Sequence, residues 1–197
     1  MVENMIEKRY KYSIPTPQKI FNEFKKRLST TTLPKSCETA DSWTVTVLGI
    51  FNQIGRSFGY RPRKEYLRLD QSWEIRHTDI SVIVLALEHD NTDDVNEILD
   101  DELQKLIDVK AILKVLIFYP IVPITMLESG ESTIPDIQEK IRSAKIKYSD
   151  ERYLVITGTY FSQKGIVFFS ACVFDVEGKG EDLGDFQITY KKIKSKA

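Results

Sequence analysis

Cysteine and histidine are scarce in this 197-residue chain, and what is missing narrows the chemistry first. The two cysteines, Cys37 and Cys172, stand far apart without a metal-ligand spacing, which fits packing residues in a reducing compartment. His77 and His89 are the only histidines, so a zinc site would lack its clustered ligands. No G-x-x-x-x-G-K-[ST], G-x-G-x-x-G or G-x-S-x-G pattern occurs, which removes nucleotide-hydrolysing, dinucleotide-binding and serine-hydrolase readings. No apolar run approaches the roughly 20 residues that span a bilayer, and Met1-Val2-Glu3-Asn4 opens without the basic and apolar regions of a signal peptide. The expectation is a cytoplasmic protein with no membrane partner. Neither sign of charge dominates: 28 Lys+Arg against 29 Asp+Glu leave a net charge of −1, which argues against an indiscriminately basic nucleic-acid binder. Composition is that of an ordinary globular chain, 42% hydrophobic and 29% charged, and the length suits a single domain over 1–197.

What is present centres on Ser81-Val82-Ile83-Val84-Leu85-Ala86-Leu87-Glu88-His89-Asp90-Asn91. An apolar run rich in β-branched residues reads as a strand buried on both faces, and this one ends on two carboxylates. A buried carboxylate is costly unless a cation, a donor or a proton compensates it. Glu88 and Asp90, two residues apart, share one side of the strand and are the first metal-ligand candidates.

Around this strand the pattern predicts a helix opening at Thr16-Pro17 with Ile20, Phe21, Phe24 and Leu28 inward, and a second helix over 42–58 stopped by Gly59. A strand over 65–76 and the central strand form a hairpin about His77-Thr78-Asp79. With the turn centred near Asp79, Asp70 falls opposite Glu88. A helix over 91–109 carries Glu102 inside its apolar stripe, between Ile98 and Leu106, with Lys105 on the border. Either these two pair with each other, or both point toward the acidic end of the sheet. The helix then crosses over to a parallel strand, 114–119. A weaker helix over 134–147, a hairpin of 153–160 with 165–174, and an edge strand over 186–193 complete the order. The fold class is α/β, a mixed central sheet flanked by helices.

This order of elements, with Asp on the first hairpin strand and Glu ending the second, resembles the core of the PD-(D/E)XK nuclease superfamily. The text Leu85-Ala86-Leu87-Glu88-His89-Asp90-Asn91, then Glu102-Leu103-Gln104-Lys105-Leu106 and Lys114-Val115-Leu116-Ile117-Phe118-Tyr119, looks like members in which an acidic strand end precedes an E-x-x-K-L helix. The resemblance covers about 15–120, a restriction-endonuclease-like core, and leaves 121–197 as an extension. It implies Asp70 and Glu88 as metal-binding acids. Asp90 stands where the family's lysine is expected two residues after Glu88. Lys105 is the residue able to replace that lysine from the helix, with Glu102 as a further ligand or as its anchor.

Such a site would hydrolyse phosphodiester bonds through Mg²⁺, with Mn²⁺ as a substitute. Asp70, Glu88 and Asp90 would supply oxygens, joined by the backbone carbonyl of His89, while Lys105 stabilises growing negative charge. Duller readings stand beside these. Asp70 pairs with Arg68 or Arg76, Asp90 caps the next helix with Asn91 or Asp93, and the basic residues Arg61, Arg63 and Lys64 are either surface charge or a hold on a phosphate backbone. Two functions remain: a Mg²⁺-dependent nuclease acting on DNA or another nucleic acid, or a non-catalytic relative used for binding or assembly; the oligomeric state stays open, with a homodimer, which would serve two strands, as the commonest arrangement.

Overall fold

Thr16 begins the first helix as the spacing predicts: its Oγ1 accepts from Lys19 N at 3.3 Å, and Pro17 fills the first helical position, where no amide donor is needed. The computed structural model describes residues 14–31, 40–77, 80–92, 94–120, 133–161 and 165–189. Helix α1 (Pro17–Thr30) buries Ile20, Phe21, Phe24 and Leu28. Helix α2 (Ala40–Ser57) buries Val47, Leu48, Ile50, Phe51 and Ile54. Gly55 lets α2 approach the sheet, because a Cβ there would lie 2.8 Å from the Trp73 ring. Gly59, at φ 83°, turns the chain out of the helix.

One sheet of seven strands then runs in chain order: β1 (Arg61–Tyr66), β2 (Leu69–His77), β3 (Ile80–His89), β4 (Leu113–Phe118), β5 (Arg152–Phe161), β6 (Ile166–Phe174) and β7 (Gly180–Thr189). The pairs β3–β4 and β4–β5 are parallel and the rest antiparallel. The α/β class with a mixed sheet is therefore observed. Between β3 and β4 lie α3 (Val95–Glu97), a π-helical segment Ile98–Glu102 and α4 (Leu103–Asp108). Helix α5 (Ile134–Ser143) precedes β5.

Each sheet face has its own core. Trp73, Val84, Leu85, Leu87, Val115, Ile117 and Phe169 pack with α1 and α2. Ala86, Leu116, Phe118 and Val155 pack on the opposite face with Ile98, Leu103, Leu106, Ile137 and Ile141. Lys114 is the charged exception within the fully buried β4. Its Nζ donates to Glu151 Oε2 at 2.7 Å, Tyr153 Oη at 3.1 Å and the Ile107 carbonyl at 3.3 Å, so the ammonium keeps its hydrogen bonds.

Four boundaries differ from the sequence expectation, the simplest being the helix expected over 134–147, which ends at Ser143 because Ala144 leaves the helical conformation at ψ 130°. The basic stretch 61–64 is itself an edge strand, with Pro62 at a position that an edge tolerates. It joins β2 through a two-residue turn, so 65–76 is not one strand. The helix expected from Asn91 starts at Val95, because Asp90 Oδ1 takes the Thr92 amide at 2.8 Å and Thr92 Oγ1 takes the Asp94 amide at 3.2 Å, forming turns instead. Strand β7 begins at Gly180, earlier than the alternation at 186–193 suggests, and Gly184 at φ 92° lies beside the register shift opposite Ala171/Cys172. Thr78, Asp79, Asp93 and Cys37 lie outside the described residues. Among the described residues no helix is long and apolar enough to cross a membrane.

Candidate functional site

Register decides which side chains meet at the end of β3. Next to the hairpin turn His77 pairs with Ile80, and continuing that ladder would set Asp70 opposite Leu87. A bulge intervenes: Trp73 pairs with Leu85 while Glu74 pairs with Ile83, and both Val84 and Leu85 pack toward α1 and α2. Beyond it Gln71 pairs with Leu87, so Asp70 stands opposite Glu88 on the face shared with Ala86.

The Asp70 carboxylate is anchored from the strand opposite, where His89 N donates to Oδ2 at 2.8 Å. Burial raises its pKa, the His89 amide lowers it, and the charges of Glu102 and Asp90 raise it again. Glu88 is almost completely buried, 1% exposed, and its Oε1 has no hydrogen-bond partner. Burial pushes Glu88 up to about 10, helped by a hydrogen bond to Glu102 and by the negative charges of Asp70 and Glu102. It therefore carries a proton at neutral pH.

Glu102 closes the π segment, and Lys105 follows one turn later on α4. The Lys105 ammonium donates to Glu102 Oε1 at 2.7 Å and lies 3.9 Å from Glu88 Oε2. Both sequence alternatives hold together: the pair forms, and it points at the acidic strand end. Partial burial lowers the Lys105 pKa, but the Glu102 hydrogen bond and the charges of Glu88, Glu102 and Asp70 outweigh it, leaving the pKa raised and the cation intact.

His89 turns to the other face, as its position between Glu88 and Asp90 requires. Its ring is 5% exposed, Nε2 lies 3.1 Å from Tyr119 Oη, and burial pulls the imidazole down to about 4, so it is neutral. Asp90 N donates to Ile117 O at 2.9 Å. In a trans peptide the carbonyl points opposite to the amide, so the His89 carbonyl is directed away from β4, toward β2 and Asp70. Asp90 spends Oδ1 on the Thr92 amide, and the helix cap is Asp94, which holds Asn96 N at 2.9 Å. Tyr119 was not singled out from sequence, although its two-residue offset from Ile117 would have set it on the His89 face.

The basic candidates divide. Arg63 Nη1 holds the buried Glu74 at 2.9 Å, and its guanidinium stacks 3.6 Å from the Tyr66 ring centroid. Arg61 and Lys64 are exposed and make no ion pair among the described residues. Arg68 makes none either, with Asp70 or any other described acid; the Arg76 side chain lies outside the described set.

A cavity of about 700 Å³ opens elsewhere, against Val82, Ile83, Ala111, Ile112, Tyr148 and Glu151. Val82 and Glu88 lie at opposite ends of β3, so this space is remote from the carboxylates.

Among the described residues no trio of His, Cys, Asp or Glu side chains forms a ready metal cage. Two opposed carboxyl groups and a backbone carbonyl remain, all hard oxygen donors, one of them the unpartnered Glu88 Oε1. That set suits Mg²⁺, which commonly takes one or two protein carboxylates and completes its shell with water and substrate phosphate. Compared with known protein families and with curated proteins, the chain matches neither a family model nor a curated sequence.

Proposed function

We propose that the chain is a Mg²⁺-dependent nuclease of the PD-(D/E)XK kind that hydrolyses phosphodiester bonds in DNA or a related nucleic acid. The observation that carries the proposal is Glu88, a buried carboxyl with an unpartnered oxygen, opposed by Asp70 and faced by the Lys105 ammonium at 3.9 Å. Such an arrangement has no packing rationale, since an apolar residue would fill the strand end without the desolvation cost.

Asp70, Glu88 and the His89 carbonyl would hold the ion. Bound there, Mg²⁺ would polarise the scissile phosphate and lower the pKa of a water. Lys105, fixed by Glu102, would stand beside the phosphate oxygens and stabilise the charge they gain in the transition state. Tyr119 would hold the His89 ring, and through it the strand end that carries the Asp70 contact. The reading extends to a cytoplasmic setting and to a two-fold dimer that offers one site to each strand.

One observation favours a second reading, a binding or assembly module without catalysis: Asp90, at the lysine position, is committed to a turn. Calorimetric titration with Mn²⁺, followed by cleavage assays on single- and double-stranded DNA and RNA in Mg²⁺ or Mn²⁺, separates the two. The nuclease reading expects saturable Mn²⁺ binding that disappears in Asp70→Asn and cleavage that disappears in Glu88→Ala. Absence of both from the unaltered protein leaves the module.

A further inference from the structure

The turn between β1 and β2 is built from the wrong residues for its shape. Tyr66 pairs with Leu69, so Leu67 and Arg68 are the two central residues, and both adopt left-handed backbone, φ 56° and φ 65°. Positive φ at both centres defines a type I′ turn, which favours Asn-Gly because other residues pay a steric penalty there. Glu65, opposite Asp70, is left-handed as well, at φ 51°. Three strained residues within four positions adjoin the carboxylate end of the sheet. Strain of this kind persists only where the surrounding structure enforces it, and it gathers at functional sites.

What the turn displays is equally unusual. Leu67 is 55% exposed at the tip of the hairpin. Arg68 beside it and Arg61 and Lys64 behind it are exposed cations without ion-pair partners among the described residues. Beneath the tip, Arg63 stacks on Tyr66 and grips Glu74, so the hairpin is braced. An aliphatic point on a braced stem, with Arg68 beside it and the cations Lys64 and Arg61 spaced along β1, has the chemistry of a wedge for stacked bases: the cations hold phosphates while the apolar side chain enters between base pairs.

Resting on the nuclease reading, we infer that the Leu67-Arg68 turn is a duplex-reading wedge: Leu67 enters the base stack of double-stranded DNA, and Arg68, Arg61 and Lys64 hold its backbone. Leu67 precedes Asp70 by three residues, a reach of at most about 10 Å. At 3.4 Å per nucleotide along one strand, the wedge acts within about three nucleotides of the bond presented to Asp70 and Glu88. Unstacking there bends the duplex and brings the scissile phosphate down to the buried carboxyl groups, which an undistorted helix would reach poorly.

The test uses a 20-base-pair duplex carrying 2-aminopurine, with Ca²⁺ in place of Mg²⁺ to suppress cleavage. Binding by the unaltered protein is expected to raise the fluorescence several-fold, and Leu67→Ala to keep most of the affinity while losing that rise. The double substitution Leu67→Asn with Arg68→Gly gives the turn its preferred residues. It is expected to raise the melting temperature by about 3–6 °C and yet to weaken duplex binding about tenfold or more. Unchanged affinity and fluorescence in that variant overturn the wedge, as does a lowered melting temperature, which removes the strain it rests on. If the unaltered protein binds Mn²⁺ but ignores the duplex, the wedge fails while the metal site stands. If it unstacks the duplex but neither binds Mn²⁺ nor cleaves, the nuclease reading fails and the wedge survives.

Discussion

Replacing Glu88 by Gln tests the central geometry without needing substrate. In the metal-free protein Glu88 is raised from 4.5 to about 10, chiefly by burial and then by Glu102 and Asp70. Well inside the range between those values the folded state therefore holds about one proton more than the unfolded chain. A group raised on folding contributes its full stability below the unfolded pKa and loses it as pH climbs toward the folded one. One proton corresponds to about 1.4 kcal/mol per pH unit. From pH 6 to 8.5 the unaltered protein should lose about 3 kcal/mol relative to Glu88→Gln, whose amide keeps the shape without titrating. Urea unfolding of both proteins in chelator at half-unit pH intervals measures the difference directly. Parallel stability curves would refute the argument, because they would mean that Glu88 ionises at no cost and is not buried as described. Metal provides a complementary check: binding at pH 7 must expel the proton, so calorimetry of Mn²⁺ in buffers of different ionisation enthalpy should report about one proton released.

Truncating Glu151 to Ala strands the buried Lys114 ammonium and should cost about 3–5 kcal/mol in chemical denaturation, whereas adding Lys114→Met should recover most of it; equal losses in both variants would count against the pair. Gly158→Ala would drive a Cβ to within 2.4 Å of the Tyr119 ring, so a loss of about 1–3 kcal/mol and a changed His89 imidazole signal in NMR are expected. If the chain cleaves nucleic acid, Lys105→Ala should slow single-turnover cleavage about 100-fold or more while leaving duplex affinity within a few-fold. Equal rates would remove Lys105 from the reaction.

Much of the site was legible because it depends on period and spacing. Glu88 at the end of an apolar strand follows from the strand pattern and Glu102 within a helical stripe from the helical period; Glu88 is buried and Glu102 partly so. The opposition of Asp70 and Glu88 emerged from a turn centre at Asp79, but through two departures that cancel. The ladder closes with His77 on Ile80, half a residue earlier, and the bulge at Trp73/Glu74 restores the step. No residue type marks that bulge, since Val84 and Leu85 are ordinary strand formers. The sequence pattern does not separate β1 from β2 for a related reason: Leu67-Arg68 lacks the Gly or Asn that announces a reversal, so the expected strand starts at 65 and the basic stretch 61–64 stays outside it. The Lys114–Glu151 pair escaped because its partners are far apart in sequence and only the packing of β4 beside β5 joins them.

Spatial order in the sheet repeats chain order from first strand to last. Growth at one edge is therefore sufficient: each arriving strand finds its neighbour already in place, and none has to be threaded between two others. Asp70, Glu88, Glu102 and Lys105 all precede β4 in the chain, so the side chains of the acidic strand end are synthesised before the strands that complete the sheet beside them.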